Sequence, residues 1–196
     1  MSRIIAGAAG GLALANVPGT GTRPTTDRVK EALFSRLESY DILHDAVVLD
    51  LFAGSGALGI ECASRGAARV ELVELNEKAA GVCRRNADQV NTVLRRRVVQ
   101  VHRTGAEGFL AKLQAGGHYN LVLMDPPYTL TDSKLALLLD LLVPVLAGGA
   151  VVVVERSSRS PQPQWPAGLE CFSDRKYGET QLWFAEPAEA SLQQNP

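Results

Sequence analysis

The chain has 196 residues, with 20 Lys and Arg against 21 Asp and Glu and a formal net charge of −1. That length suits one enzyme domain with a sizeable core. The near-neutral charge excludes a molecule that binds nucleic acid through its overall field, so any such contact must come from local patches.

Residues 1–26 read as a small N-terminal extension. Asp27 to Leu37 predicts a helix with Val29, Ala32, Leu33 and Leu37 on its apolar face and Arg28, Lys30 and Glu31 on the other. From there strands and helices alternate. Strands are expected near 46–50, 69–75, 98–102, 119–125 and 150–155. Helices are expected at 57–65, stopped by Gly66, at 76–90 with Asn76 as cap, at 105–114 and at 133–147. Leu135 to Val154 is apolar enough to imitate a membrane span, but Asp140, Pro144 and Gly148-Gly149 interrupt it. It reads as a buried helix, a glycine stop and a central strand. Ser157 to Pro166 is a loop. Short strands near 169–173 and 180–186 form a closing hairpin, and 187–196 reads as a disordered tail. Such alternation predicts an α/β fold with a mostly parallel sheet and helices on both faces.

Three features carry chemistry. The run Asp50 to Glu61, DLFAGSGALGIE, follows an apolar strand and opens a helix. Its glycines allow close backbone approach to a ligand, and the helix start offers unpaired N–H groups. Glu74 ends the next strand about 20 residues beyond the first loop glycine, where a ribose-binding acid is expected. Asp125-Pro126-Pro127-Tyr128 follows the strand YNLVLM. Two prolines stiffen this turn and leave nearby carbonyls to accept from a ligand. A carboxylate, a carbonyl and an aromatic face suit a flat ring that bears an amine. Asp50, Glu74 and Asp125 all fall at predicted strand carboxyl ends, where one cleft can hold donor and base together. Asp50 suits an ammonium better than a pyrophosphate, which favours S-adenosylmethionine over a dinucleotide.

Together these motifs resemble the class I S-adenosylmethionine-dependent amino-methyltransferases. Arg3-Ile4-Ile5-Ala6-Gly7, the run TRPTTDRVKEALF from Thr22 to Phe34, and Lys176-Tyr177-Gly178-Glu179-Thr180 narrow the resemblance to the RsmD-type 16S ribosomal RNA (guanine-N2)-methyltransferases. The resemblance implies a Rossmann-like class I methyltransferase fold with a seven-stranded sheet. It implies methyl transfer to the exocyclic N2 of a guanine in 16S rRNA, either naked or within a partly assembled small subunit. It implies Asp125, Pro126, Pro127 and Tyr128 as catalytic residues. Asp50, Phe52, Gly54, Ser55, Gly56, Glu74, Leu75, Gly105 and Ala106 are the implied cofactor contacts, and Arg3, Arg23, Thr25 and Arg28 the implied RNA contacts. The segment Gly7 to Ala13 lacks the basic residues common in the family, and Arg103 to Glu107 lacks an aspartate for the adenine amine. A monomer is expected.

Charge is uneven along the chain. Arg3, Arg23, Arg28, Lys30 and Arg36 make the beginning basic. Arg84, Arg85, Arg95, Arg96, Arg97 and Arg103 form a second group, and either can meet phosphates. Cys62, Cys83 and Cys171 form no C-x-x-C pair and read as reduced thiols. His44, His102 and His118 have no ligand spacing, so no metal is expected. No secretory signal is apparent, which points to the cytoplasm. Other readings stay open at this point: an amino-methyltransferase of another RNA or DNA base, a nicotinamide-dependent oxidoreductase, or a non-catalytic ribosome-assembly factor.

Overall fold

The computed structural model describes residues 2–18 and 27–189. Arg23 and Thr25 lie outside the described residues, as does most of the expected tail. The chain opens with a two-stranded antiparallel ribbon, β1 (Ser2–Arg3) and β2 (Ala13–Leu14). Helix α1 spans Asp27–Ser39. Then come β3 (Val47–Asp50), α2 (Ala57–Ser64), β4 (Arg69–Val73), α3 (Glu77–Leu94), β5 (Val99–His102), α4 (Ala106–Leu110) and β6 (Tyr119–Met124). Helix α5 (Asp132–Leu142), β7 (Leu146–Ser157), β8 (Leu169–Tyr177) and β9 (Thr180–Pro187) complete the fold.

The large sheet has seven strands in the order β5-β4-β3-β6-β7-β9-β8. Strands β3 to β7 pair in parallel, while β9 is antiparallel to both β7 and β8. Two apolar clusters cover its faces. One gathers Phe34, Leu37, Ile60, Val90, Leu121, Leu123, Val151 and Val153 beneath α1, α2 and α3. The other gathers Phe109, Tyr119, Val122, Leu138, Leu139, Leu142, Val152 and Val154 beneath α4 and α5. The expected doubly covered α/β sheet is therefore observed. Among the described residues no helix is long and apolar enough to cross a membrane.

Some boundaries differ from expectation, for physical reasons. The helix expected to run to residue 147 stops at Leu142. Pro144 cannot donate the next helical bond, and a single 3-10 turn at Val143–Val145 follows it. Gly148 and Gly149 do not stop a helix but lie within β7, where the register against β6 shifts between Tyr119 and Leu121. Strand β8 is longer than expected because its alternating residues pair along the whole of β9. Pro187 is the last residue of β9 rather than the first of a tail.

The opening ribbon is built onto α2. Ile4 and Leu14 enter the core. Glu61, fully buried on α2, accepts from the Ile5 and Ala6 amides at 2.8 and 3.0 Å. It also meets Lys30 at 3.1 Å and Arg65 at 2.8 Å. Lys30 further donates to the Arg3 carbonyl at 3.0 Å. Lys30 is therefore not on a solvated face of α1, as expected, but 2% exposed inside a four-way knot. Burial alone would raise the Glu61 pKa. The Ile5 amide and the two cations outweigh it, and the carboxyl lies below its ordinary value. Gly7 adopts φ +83°, and a Cβ there would sit 2.0 Å from the Ser64 carbonyl oxygen, so only glycine lets the ribbon lie this close to α2.

Candidate active site

The parallel strands reverse direction of growth across the sheet between β3 and β6. In open α/β sheets ligands bind beyond the strand carboxyl ends at such a point. Asp50, the last residue of β3, pairs in register with Leu72 of β4 and Leu123 of β6. Glu74 lies just beyond β4, and Asp125 just beyond β6. The structure thus brings the three sequence-predicted carboxylates to one rim.

The glycine loop is shaped from below. Gly54 and Gly56 take φ of +57° and +85°. Among the described residues, a Cβ on Gly54 would meet nothing within 4 Å. Gly59 serves packing: a Cβ there would lie 2.3 Å from Leu72 Cδ2, so α2 could not rest on β4. Asp50 is 2% exposed and accepts from the Gly59 amide at 3.3 Å. Its burial, reinforced by Asp125 and Glu74 nearby and only partly relieved by the Gly59 and Phe52 amides, pushes its pKa up to about 7. A cationic ligand group beside it would favour the ionised form.

Glu74 does more than spacing revealed. Its Oε2 accepts from the Gly54 amide at 2.8 Å and its Oε1 from the Asn76 amide at 2.7 Å. It clamps the glycine loop to the start of α3. Leu75 beside it is 72% exposed, an apolar surface open to a ligand ring. Phe52 packs against the second apolar cluster, and Ser55 is half-buried. Gly105 caps α4, and the buried Ala106 opens that helix. Glu107 is engaged with Lys134, so it already has a partner other than a cofactor.

Sequence reasoning missed Asn86, which is fully buried on α3. Its side chain donates to the Ser55 carbonyl at 2.9 Å and to the Ala15 carbonyl at 3.0 Å, and accepts from the Ala15 amide at 2.9 Å. It ties the glycine loop to the opening segment. A buried asparagine on an otherwise apolar helix face is the signal that could have found it.

The Asp125-Pro126-Pro127-Tyr128 turn walls a shallow recess of about 30 Å³ that opens to solvent, shared with Glu155, Arg156, Ser157, Ser160 and Thr180. Pro126 is buried, and Tyr128 is 84% exposed, with its ring face available for stacking. Asp125 keeps solvent access toward the cleft, but the protein packed around its carboxyl raises its pKa to about 6. Arg156 donates to Asp132 at 2.7 Å through Nη2, while its buried Nη1 has no hydrogen-bond partner among the described residues.

A larger concavity, about 1220 Å³ including open solvent, lies between α3 and the edge strand β5. It is lined by Arg84, Arg95, Arg96 and Arg97 among others. It sits toward the start of β5 and the end of α3, away from the strand carboxyl ends, so it is not the cofactor cleft. Arg103, from the same basic group, faces Glu77 at 3.9 Å. Arg3 and Arg28 are exposed, whereas Arg36 donates to the Tyr40 hydroxyl at 2.8 Å and lies over the Phe184 ring.

Comparison with known proteins decides the family. The model of the family described as Conserved hypothetical protein 95 matches residues 2–186. Ribosomal RNA small subunit methyltransferase D of Escherichia coli K12 is 36% identical over 179 residues, covering 90% of this chain and 85% of that one. This chain belongs to that family. The same-named protein of Haemophilus influenzae is 37% identical over 138 residues, 69% of each chain. The solved structure of Escherichia coli yhhF is 33% identical with a TM-score of 0.78, covering 94% of this chain and 97% of that one. A magnesium protoporphyrin IX methyltransferase solved with S-adenosylmethionine bound shares the fold, at 16% identity and a TM-score of 0.63. This family member is a class I methyltransferase, and its cofactor is S-adenosylmethionine.

Proposed function

We propose that the enzyme methylates the exocyclic N2 of a guanine in 16S rRNA. It acts in the bacterial cytoplasm as a monomer, on rRNA folded in a partly assembled small subunit. The observation that carries this reading is the meeting of Asp50, Glu74 and Asp125 at one strand-end rim, where the DPPY turn begins. The names of the relatives supply the ribosomal RNA class.

The residues at the rim fit the donor. Asp50, raised toward neutrality by burial, is matched by a methionine ammonium. Glu74 keeps unused lone pairs on both oxygens for ribose hydroxyls. Leu75 offers apolar contact to the adenine, and the backbone at Gly105 and Ala106 offers it polar groups. When bound, S-adenosylmethionine supplies a sulfonium methyl open to nucleophilic displacement.

The protein's task is to present the amine. Guanine N2 is a weak nucleophile because its lone pair is delocalised into the ring. Asp125 and the Pro126 carbonyl accept its two N–H bonds and favour a pyramidal nitrogen. Tyr128 stacks on the base after it leaves its RNA stack. Catalysis is then mostly positioning and electrostatics. The nitrogen becomes acidic once methylated and passes its proton late, to Asp125 or to water. Arg3 and Arg28, both exposed, and with them Arg23 and Thr25, guide the RNA phosphates toward the cleft.

The test is transfer of a radiolabelled methyl group to small-subunit particles, free 16S rRNA and DNA, with nucleosides identified after digestion. N2-methylguanosine from the ribosomal substrates is expected. Label confined to DNA or to adenine would move the reading to the other amino-methyltransferases, and no label at all would favour a binding factor.

A further inference from the structure

The DPPY turn answers to any flat ring with an exocyclic amine, adenine included, so something else must choose guanine. Strands β6 and β7 run parallel, with Met124 in register with Val154. An acid follows each of them, Asp125 just beyond β6 and Glu155 on β7. Leu121 and Leu123 of β6 share one core cluster with Val151 and Val153 of β7. By strand alternation Glu155 faces that same side, and Asp125 leaves the end of the adjacent strand, whose backbone lies about 5 Å away across the sheet. Both line the same recess.

We propose that Glu155 is the residue that selects guanine, by accepting the ring N1–H while Asp125 accepts from N2. This rests on the methyl-transfer reading above. Guanine's pairing edge presents N2–H, N1–H and O6, two donors and then an acceptor. Asp125 and Glu155 line one recess and offer two acceptors to those two donors. Adenine's edge presents an amine donor beside an N1 acceptor, which would set a lone pair against the Glu155 carboxylate. Rejection then comes from a polar group left unmatched once the base covers it, a strong kind of discrimination. Glu155 has an interaction within the protein, but a carboxylate has about four acceptor positions, enough to take N1–H as well.

The test uses 16S rRNA ligated from pieces that place either guanine or 2,6-diaminopurine at the methylated position, assembled into small subunits. Diaminopurine keeps the N2 amine but turns N1 into an acceptor. The wild-type enzyme should favour guanine by roughly 100-fold or more in kcat/KM. Glu155→Gln, whose amide can donate to N1, should narrow that ratio to less than about tenfold. Glu155→Ala should lose activity on guanine without gaining it on diaminopurine. Retained binding of S-adenosylmethionine shows that either variant is folded. An unchanged ratio in Glu155→Gln overturns the inference alone. A wild-type enzyme that leaves guanine N2 unmethylated overturns the methyl-transfer reading and the inference with it.

Discussion

Replacing Glu74 by alanine separates its two expected roles. In the protein itself the carboxylate accepts from the Gly54 and Asn76 amides at 2.8 and 2.7 Å. Hydrogen bonds to charged groups contribute about 1.5–3 kcal/mol each when shielded. Glu74 is only partly buried, so solvent screening reduces the pair to roughly 1–2 kcal/mol. For a chain of this size that predicts a melting temperature lower by about 2–8 °C. Affinity for S-adenosylmethionine should fall further, since the ribose contact is lost and the Gly54 loop loses its brace. A loss of roughly 1–3 kcal/mol, about 5- to 150-fold, is expected. Glu74→Gln keeps an acceptor oxygen and should fall between. Calorimetric titration measures the affinity, and a thermal melt the stability. A lower melting temperature with unchanged affinity would mean that Glu74 braces the loop and does not bind the donor.

Three further outcomes are expected. Lys30→Met should leave Glu61 buried with one cation fewer and cost about 3 kcal/mol; an unchanged denaturant midpoint would contradict that. The lowered Glu61 pKa also means that its stability contribution is present above the unfolded carboxylate range and lost as pH falls through its folded value. Asp50 has the opposite sign. Its raised pKa favours the protonated fold up to about 7, and a bound ammonium requires the ionised form. Affinity for S-adenosylmethionine should therefore weaken by about tenfold per pH unit below 7 and level off above, until the ligand's amine deprotonates; a flat profile by calorimetry from pH 5 to 7 would contradict it. Arg28→Ala should weaken RNA binding and make it less steep in salt; unchanged binding across several salt concentrations would leave that exposed arginine no RNA role.

Much of this fold was legible because its signals are local. Apolar runs ended in glycine loops, Asn76 did cap α3, accepting from the Ala79 amide at 3.0 Å, and each strand-end acid followed its own run. Periodicity erred where long-range pairing decides. Lys30 read as an outward charge because its partners, Glu61 and the Arg3 carbonyl, are 31 and 27 residues away in sequence. The Gly148-Gly149 pair read as a helix stop because the alternative, an irregular strand start against Tyr119, needs β6 beside it. At the site, spacing placed Asp50, Glu74 and Asp125 on one rim. It did not show that Glu74 clamps the glycine loop, that Asn86 holds Ser55, or that Glu155 stands beside Asp125. Those are properties of register and packing, and no motif encodes them.

The central claim is that Asp125 holds the acceptor amine while the donor rests on other residues. Single-turnover methyl transfer by Asp125→Ala, at saturating S-adenosylmethionine on small-subunit particles, tests it most directly. The rate should fall by about 10²–10³, the scale of losing one preorganised partner of a reacting group, with affinity for the donor nearly unchanged. A variant that transfers methyl groups at close to the parent rate would contradict the assignment of the Asp125-Pro126-Pro127-Tyr128 turn as the amine site.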